Sequence, residues 1–370
     1  MLTCEPLRGP LPASFWLIPQ RVYANAPARP VERRGVLEAL VAEEAARHAV
    51  LLCTDHATLR VLGIFPHQGE EAYFGLWETL PDLALNQQAF ALLLTEARRR
   101  GFRRLVGPLC FNTFHRYRLR LGEPPGWGQF DGEPVNPVYY ADVLAALGFR
   151  PSLTFESRCL QPAVIPEVYT DKALLLQHLR QVPFSFEPLT PESWAAQEEE
   201  LFALVQAIFG ANPGYRAVSL AQFRLLYNPA YARQLCPHTS VLVRDPATAR
   251  LVALSFCHPN YASLSLPSDE PPCFARDYPR LARRTLLAKT VGVHPDYRQR
   301  GLMSYLGAYG MVHFREYYDD IIFCLMRTGN YSRHFTDGFP YETAQYALYE
   351  QELLPATEVQ ATASQPTTDA

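Results

Sequence analysis

The chain has 370 residues, 48% of them hydrophobic and 19% charged, with a net charge of −3. That is the make-up of a globular protein long enough for two domains, and the near-neutral balance gives no electrostatic basis for a nucleic-acid or membrane partner. No apolar run approaches the roughly 18–20 residues of a transmembrane helix.

Glu5, Arg8 and scattered prolines do not make a signal peptide. The eight cysteines are dispersed, with no Cys-x-x-Cys. They read as reduced, mostly buried thiols in a cytoplasm, with neither a zinc site nor a disulfide framework.

Met1 to about Ala28 is Pro-rich without a sustained period and reads as an arm or linker. Val36 to Val50 is helix-like. Leu59–Phe65 and Tyr73–Trp77 read as adjoining strands around a polar turn at Gln68-Gly69-Glu70. Asn86 to Arg100 is an amphipathic helix with Phe90, Leu93, Leu94 and Ala97 inward. Arg98, Arg99 and Arg100 complement its dipole and Gly101 stops it. A short strand, Arg104–Val106, ends at Gly107-Pro108. The arginines from Arg98 to Arg104 stand at a helix C-terminus, the wrong end for an anion, so they read as a solvated face.

Glu123 to Pro137 is a Pro/Gly/Trp-rich loop, long enough to suggest function or a partner surface. A helix from Asn136 to Leu147 closes at Gly148-Phe149, and Leu153–Leu160 is a strand. Pro162–Pro166 reads as a linker, Asp171–Arg180 as a helix and Phe184–Glu187 as a strand. Ser193–Phe209 and Leu220–Tyr227 are helical. Ser240–Arg244 and Arg250–Phe256 form a hairpin around Asp245-Pro246.

The stretch from Thr285 to Phe314 is the organising element of the second half. Thr285 to Val293 is apolar and rich in β-branched residues, as in a largely buried strand. Pro295 stops it. A basic turn, Arg298-Gln299-Arg300-Gly301, leads into a helix with Leu302, Leu306, Tyr309 and His313 on one face. The first N–H groups of a helix have no partner inside it, and with the dipole they form a ready anion site. Gly301 allows close approach, and Arg298 and Arg300 add charge. At roughly 1.5–3 kcal/mol for each hydrogen bond to a charged group, three or four such bonds hold a diphosphate without a metal. A P-loop and a Gly-x-Gly-x-x-Gly fingerprint are both absent. The plain alternative is a strand-turn-helix with solvated arginines.

Asp320–Met326 reads as a buried strand, Asn330–Asp337 as a short helix closed by Gly338-Phe339, and Thr343–Glu350 as a final strand. Pro355–Ala370 is small and polar. The order of Tyr73–Leu160 is repeated in Leu286–Tyr349, so both halves read as mixed α/β domains. In the first half Glu78-Thr79-Leu80-Pro81-Asp82-Leu83 stands where the basic turn should be. Carboxylates there would repel a diphosphate.

The run Val-x-Val-x-Pro-x-x-Arg-x-x-Gly-x-Met, Val291 to Met303, resembles the acyl-CoA-binding motif of the GNAT acyltransferase superfamily. Met303 departs from it, standing where a small residue is usual. Asn330-Tyr331-Ser332-Arg333-His334 through Gly338-Phe339 resembles the superfamily's Asn-x-x-Ser/Ala…Tyr-x-x-x-Gly-Phe segment, with Ser332 one place early and His334 in the Tyr position. The first half, from Phe74 through Gly107-Pro108 to Tyr139-Tyr140, also resembles uncharacterised bacterial two-domain GNAT-like proteins.

The resemblance implies two tandem GNAT-like acyl-CoA N-acyltransferase domains of mixed-sheet α/β class. They would be a degenerate domain at 1–165 without a cradle and an acyltransferase domain at 166–355, followed by a disordered tail at 356–370. Acetyl-CoA or another acyl-CoA is the implied co-substrate and a small-molecule or peptide amine the acceptor, with no metal, nucleic acid or membrane involved.

Main-chain groups of Val291 and Val293 would bond the pantetheine arm, Asn330 would contact it, and amides of Gln299, Arg300, Gly301, Leu302, Met303 and Ser304 would hold the diphosphate. His334 is the candidate proton donor, since an imidazole of pKa near 6.5 can protonate a thiolate. Tyr331 and Tyr346 stand in reserve. His294 and His258 are weighed as acceptor-side bases, and neither is chosen. Two rival functions stay open, a degenerate acyl-CoA sensor or scaffold and a transferase using aminoacyl-tRNA. The sequence leaves the oligomeric state open.

Overall fold

The computed structural model describes residues 1–26, 29–165, 171–264, 266–267 and 270–353. The expected tail at 356–370 and the end of the expected linker, Pro166, lie outside them. In chain order the strands are β1 (Thr3–Pro6), β2 (Ala49–Thr54), β3 (Leu59–Phe65), β4 (Glu71–Thr79), β5 (Arg104–Gly107), β6 (Leu119–Leu121) and β7 (Arg150–Leu160). They continue as β8 (Ser185–Pro188), β9 (Val241–Asp245), β10 (Arg250–Pro259), β11 (Thr285–Val293), β12 (Asp320–Arg327) and β13 (Glu342–Glu352). The helices are α1 (Ala13–Val22), α2 (Arg34–Arg47), α3 (Leu83–Arg99), α4 (Tyr140–Ala146), α5 (Lys172–Arg180) and α6 (Pro191–Phe209). After them come α7 (Leu220–Leu226), α8 (Pro229–Ala232), α9 (Phe274–Asp277), α10 (Leu302–Met311) and α11 (Phe314–Tyr317).

Contacts divide the chain into two compact units. The first holds Met1–Gly122, Pro134–Thr154 and the chain from Tyr346 onward. The second holds Glu123–Glu133 and Phe155–Gln345. Neither is contiguous, which differs from the sequence-based boundary after residue 165. The reason is strand pairing. The second part of β13 pairs β5, from Tyr349↔Gly107 to Glu352↔Arg104. The second part of β7 pairs β12, from Phe155↔Arg327 to Leu160↔Ile321.

In the first unit the sheet runs β1-β2-β3-β4-β5 and then β13, with β4 and β5 parallel. Helix α3 starts at Asp82, whose carboxylate accepts the Leu85 N–H, and it buries Phe90 and Leu93 against Phe74, Trp77 and Phe149. The N-terminus is no arm. β1 pairs β2, and α1 buries Phe15 and Ile18, an i, i+3 pair on one face. Ala49 and Val50, expected at the end of the helix from Val36, instead open β2, which pairs with both β1 and β3. Cys4 and Cys53 sit opposite each other in that pairing and form a disulfide, which corrects the all-reduced reading. Five of the six free cysteines are buried. Arg99 and Arg100 bind Glu96, and Arg103 and Arg104 reach Glu70 and Glu71.

In the second unit the order is β8-β9-β10-β11-β12 and then β7, with only β11 and β12 parallel. Helix α10 covers one face, its Leu302 and Leu306 packing on Val241, Val243, Val252, Ala253 and Val293. Helix α6 covers the other. A Cβ on Gly292 would collide with Ile208, and Trp194 packs 5.5 Å from Phe256. His313 lies beyond the end of α10, bonded to Glu316 at 2.9 Å, so it is not on the helix face expected for it.

Candidate acyl-carrier site in the second unit

Two irregularities open the sheet of the second unit. β11 pairs β12 only from Thr285↔Asp320 to Ala288↔Phe323. Beyond that point each strand carries a bulge. On β11 the register with β10 jumps from Cys257↔Ala288 to Phe256↔Thr290, so Lys289 is the extra residue. On β12 the register with β7 jumps from Phe323↔Arg158 to Met326↔Glu156, and Leu325 has φ 54°. A bulge bends its strand and raises the local twist, so paired bulges at one level send neighbouring strands apart.

The His294 N–H donates to Val252 at 2.8 Å. Alternation along the strand then turns the main-chain groups of Val291 and Val293 away from β10 and into the gap. Their side chains, half-buried and buried, pack under α10.

At the end of the gap, Pro295–Arg300 forms a 3₁₀ helix and Gly301 takes φ 72°, a left-handed conformation that suits glycine. A Cβ there would meet only Tyr305 Cε2, at 3.7 Å, so the space before the turn is open. Gly301 is the N-cap of α10 and offers no side-chain acceptor to the first-turn amides. The Ser304 N–H reaches back to the Gly301 carbonyl at 3.0 Å. Leu302 is buried, while Gln299 and Ser304 are exposed. Met303 does not cross the turn; it packs half-buried against the α10 core. Arg298 donates to the Ile208 carbonyl at 3.2 Å, and Arg300 lies 4.7 Å over the Tyr297 ring. Among the described residues neither guanidinium is bridged to a carboxylate.

The Asn330 segment is a 3₁₀ helix, Tyr331–Thr336, anchored on β7. Arg333 binds Glu156. Arg158 bonds Glu156 at 2.8 Å and Thr336 at 2.6 Å. Phe335 comes within 3.4 Å of where a Cβ on Gly307 would lie, so this segment rests on α10 beside the cradle. Asn330 is exposed.

His334 sits on the outside. Its side chain is 64% exposed, and Nδ1 bonds Asp337 at 2.6 Å. Its ring neighbour, Tyr331, is exposed as well. Tyr346, the other reserve residue, is fully buried and belongs to the first unit. His294 caps the 3₁₀ turn through Nδ1, and its Nε2 meets Arg250 at 3.3 Å. His258 is 1% exposed and donates from Nδ1 to the Pro259 carbonyl at 2.9 Å. Burial, with the Lys289 ammonium nearby, pulls its pKa down to about 4, so it is neutral at pH 7.

The sequence places the loop Glu123–Pro137 in the first half, but most of it belongs to the second unit. Residues 123–133 fold into the second unit on the face of β11 that carries Leu287. Phe130 is fully buried among Leu287, Ile322, Cys159 and Cys324. Asn260 clamps the loop, accepting from Asp131 N–H and donating to the Gln129 carbonyl, each at 3.0 Å. Lys289, the bulge residue, donates to the Asp131 carbonyl at 3.1 Å. Gly132 leaves room for that ammonium, which a Cβ would strike. The signals were a lysine inside an apolar strand and two aromatics, Trp127 and Phe130, in a loop otherwise rich in turn formers.

No family model matches the chain, and no curated protein matches it by sequence. Among solved structures it resembles a tandem GNAT protein from the clavulanic acid biosynthesis pathway, at 13% identity and TM-score 0.50, over 96% of this chain and 100% of that one. A conserved protein of unknown function from Enterococcus faecalis V583, described as a probable N-acyltransferase, gives 8% identity and TM-score 0.54 over 96% and 74%. The glucosamine N-acetyltransferase region of a fungal multi-domain GH3 β-N-acetylglucosaminidase gives 12% identity and TM-score 0.51, covering 95% of this chain and 38% of that one. At such identities the likeness is one of fold. With the splayed strands and the uncapped turn described above, it establishes that this chain has the tandem GNAT acyltransferase fold.

Proposed function

We propose that the second unit is an acyl-CoA-dependent N-acyltransferase that passes an acetyl group from acetyl-CoA to an amine by direct attack. The observation that carries this reading is the gap between β11 and β12, running to an open, uncapped turn at Gly301. The co-substrate supplies an activated thioester. Main-chain groups of Val291 and Val293 bond its arm as an added strand, and Asn330 holds the arm from the other side. Amides from Gln299 to Met303 grip the diphosphate, with Arg298 and Arg300 supplying charge, while the Ser304 N–H, expected among them, is held by the Gly301 carbonyl. An N–H on the Val291 strand polarises the thioester carbonyl as an oxyanion donor.

His334 remains the proposed proton donor to the departing thiolate. Asp337 fixes Nδ1 and leaves Nε2 for the transfer. A cytoplasmic setting goes with this reading, although the Cys4–Cys53 bridge suits a reducing compartment poorly.

Calorimetry with acetyl-CoA on wild type and Gly301→Glu tests the proposal. Binding is expected in wild type and lost in the variant, where a carboxylate enters the cradle. No wild-type binding across several conditions sinks it. The exposure of His334 favours one second reading, a non-catalytic acyl-CoA-binding protein. Release of CoA with a mixed panel of amines separates the two, since a sensor binds without release.

A further inference from the structure

The first unit has the same strand layout with a different content. β4 and β5 pair in parallel from Glu71↔Arg104 to Tyr73↔Val106 and then stop. β4 then bulges, its register with β3 jumping from Leu62↔Gly75 to Arg60↔Glu78, and Leu76 has φ 47°. This is the counterpart of the gap between β11 and β12.

Here the gap is filled. The chain leaving β5 turns into it. Leu109 N–H donates to the Phe74 carbonyl at 2.8 Å, and Leu76 N–H donates to Cys110 Sγ at 3.3 Å. The fit is close enough to require Gly75, where a Cβ would lie 2.8 Å from the Leu109 carbonyl carbon and 3.1 Å from Cys110 Cα. Behind this segment, Cys110 N–H bonds Arg116 O at 2.9 Å and Arg118 N–H bonds Pro108 O at 2.8 Å. Leu109, Cys110 and Phe111 are all 3% exposed or less.

The helix that follows β4 is occupied as well. Asp82 caps α3, its carboxylate accepting Leu85 N–H at 2.9 Å, whereas Gly301 leaves α10 uncapped. Both parts of a carrier thus have a stand-in drawn from the chain. Leu109 and Cys110 take the main-chain partners of an arm, and Asp82 takes one of the first-turn amides that would face a diphosphate, that of Leu85.

We infer that the first unit is self-liganded, its carrier slot filled by residues 107–111 and Asp82, so that each polypeptide takes up one acyl-CoA and not two. The count of one rests on the proposed function of the second unit; the filled slot does not. Native mass spectrometry with acetyl-CoA is expected to show one molecule per wild-type chain and none on Gly301→Glu. Two on wild type, or one remaining on Gly301→Glu, overturns the inference.

Hydrogen exchange judges the slot independently. Peptides covering residues 74–80 and 105–112 are expected to be as protected as the core strands of their unit and unchanged by acetyl-CoA. Exchange there at loop rates, or protection gained on adding acetyl-CoA, overturns it. If wild type binds nothing while those peptides are protected, the self-liganded slot stands and the transferase reading falls.

Discussion

At the residue scale, His258 shows how the surroundings reassign a side chain. In the sequence it is a loop-edge histidine and a weighed base. In the structure it is buried on β10 and neutral, with a pKa of about 4. An unfolded histidine titrates near 6.5, so between pH 6.5 and 4 the unfolded chain holds a proton that the folded chain rejects. Stability is therefore present above pH 6.5 and falls as pH drops through that window, by about 2 kcal/mol between pH 7 and 5. Urea denaturation at the two pH values checks this, and His258→Asn should flatten the dependence. An unchanged pH dependence in the variant would refute the assignment. Met303 was a departure from the motif that the structure resolves, because its flexible chain turns into the α10 core and leaves the cradle open.

Elements set by nearby residues were readable, and those set by remote partners were not. Strand β11, the Gly301 turn and α10 follow from an apolar run, a proline, a left-handed glycine and helical spacing, all within a few positions. By contrast, β1 and α1 looked like an arm, because nothing local says that Thr3–Pro6 will pair with β2.

The Cys4–Cys53 bridge ties that edge strand down across a sequence separation of 49 residues. Loop-closure entropy gives such a cross-link up to about 4 kcal/mol. Cys4→Ser should thus lower the melting temperature under oxidising conditions. With reductant present, wild type and variant should melt together. Equal melting without reductant would show that the bridge contributes nothing.

On the scale of the whole molecule, the chain enters and leaves each unit more than once. The second unit needs Glu123–Glu133 and Phe155–Leu160 as well as the residues after 166. A fragment cut at the sequence-based boundary, 166–355, lacks both. It would leave β12 with an open edge and Leu287 and Ile322 without the cover of Phe130. Expressed alone, 166–355 is expected to aggregate or to lack a cooperative thermal transition, and a soluble fragment melting like the full chain would contradict this division. The repeat itself was legible, since Gly148-Phe149 and Gly338-Phe339 mark equivalent turns, with φ 85° and 80° at the glycines.

The sequence by itself determined the class of fold, the strand-turn-helix at Gly301 and the contrast between a basic turn in one half and carboxylates in the other. Each of these depends on side chains close along the chain. Tertiary structure alone decided that β11 and β12 part at Ala288 and that residues 123–133 serve the second unit. It also decided that His334 faces outward and that the first slot holds its own chain. Those outcomes depend on register, bulges and packing between segments far apart in sequence, where a one-residue shift reverses which face a side chain meets.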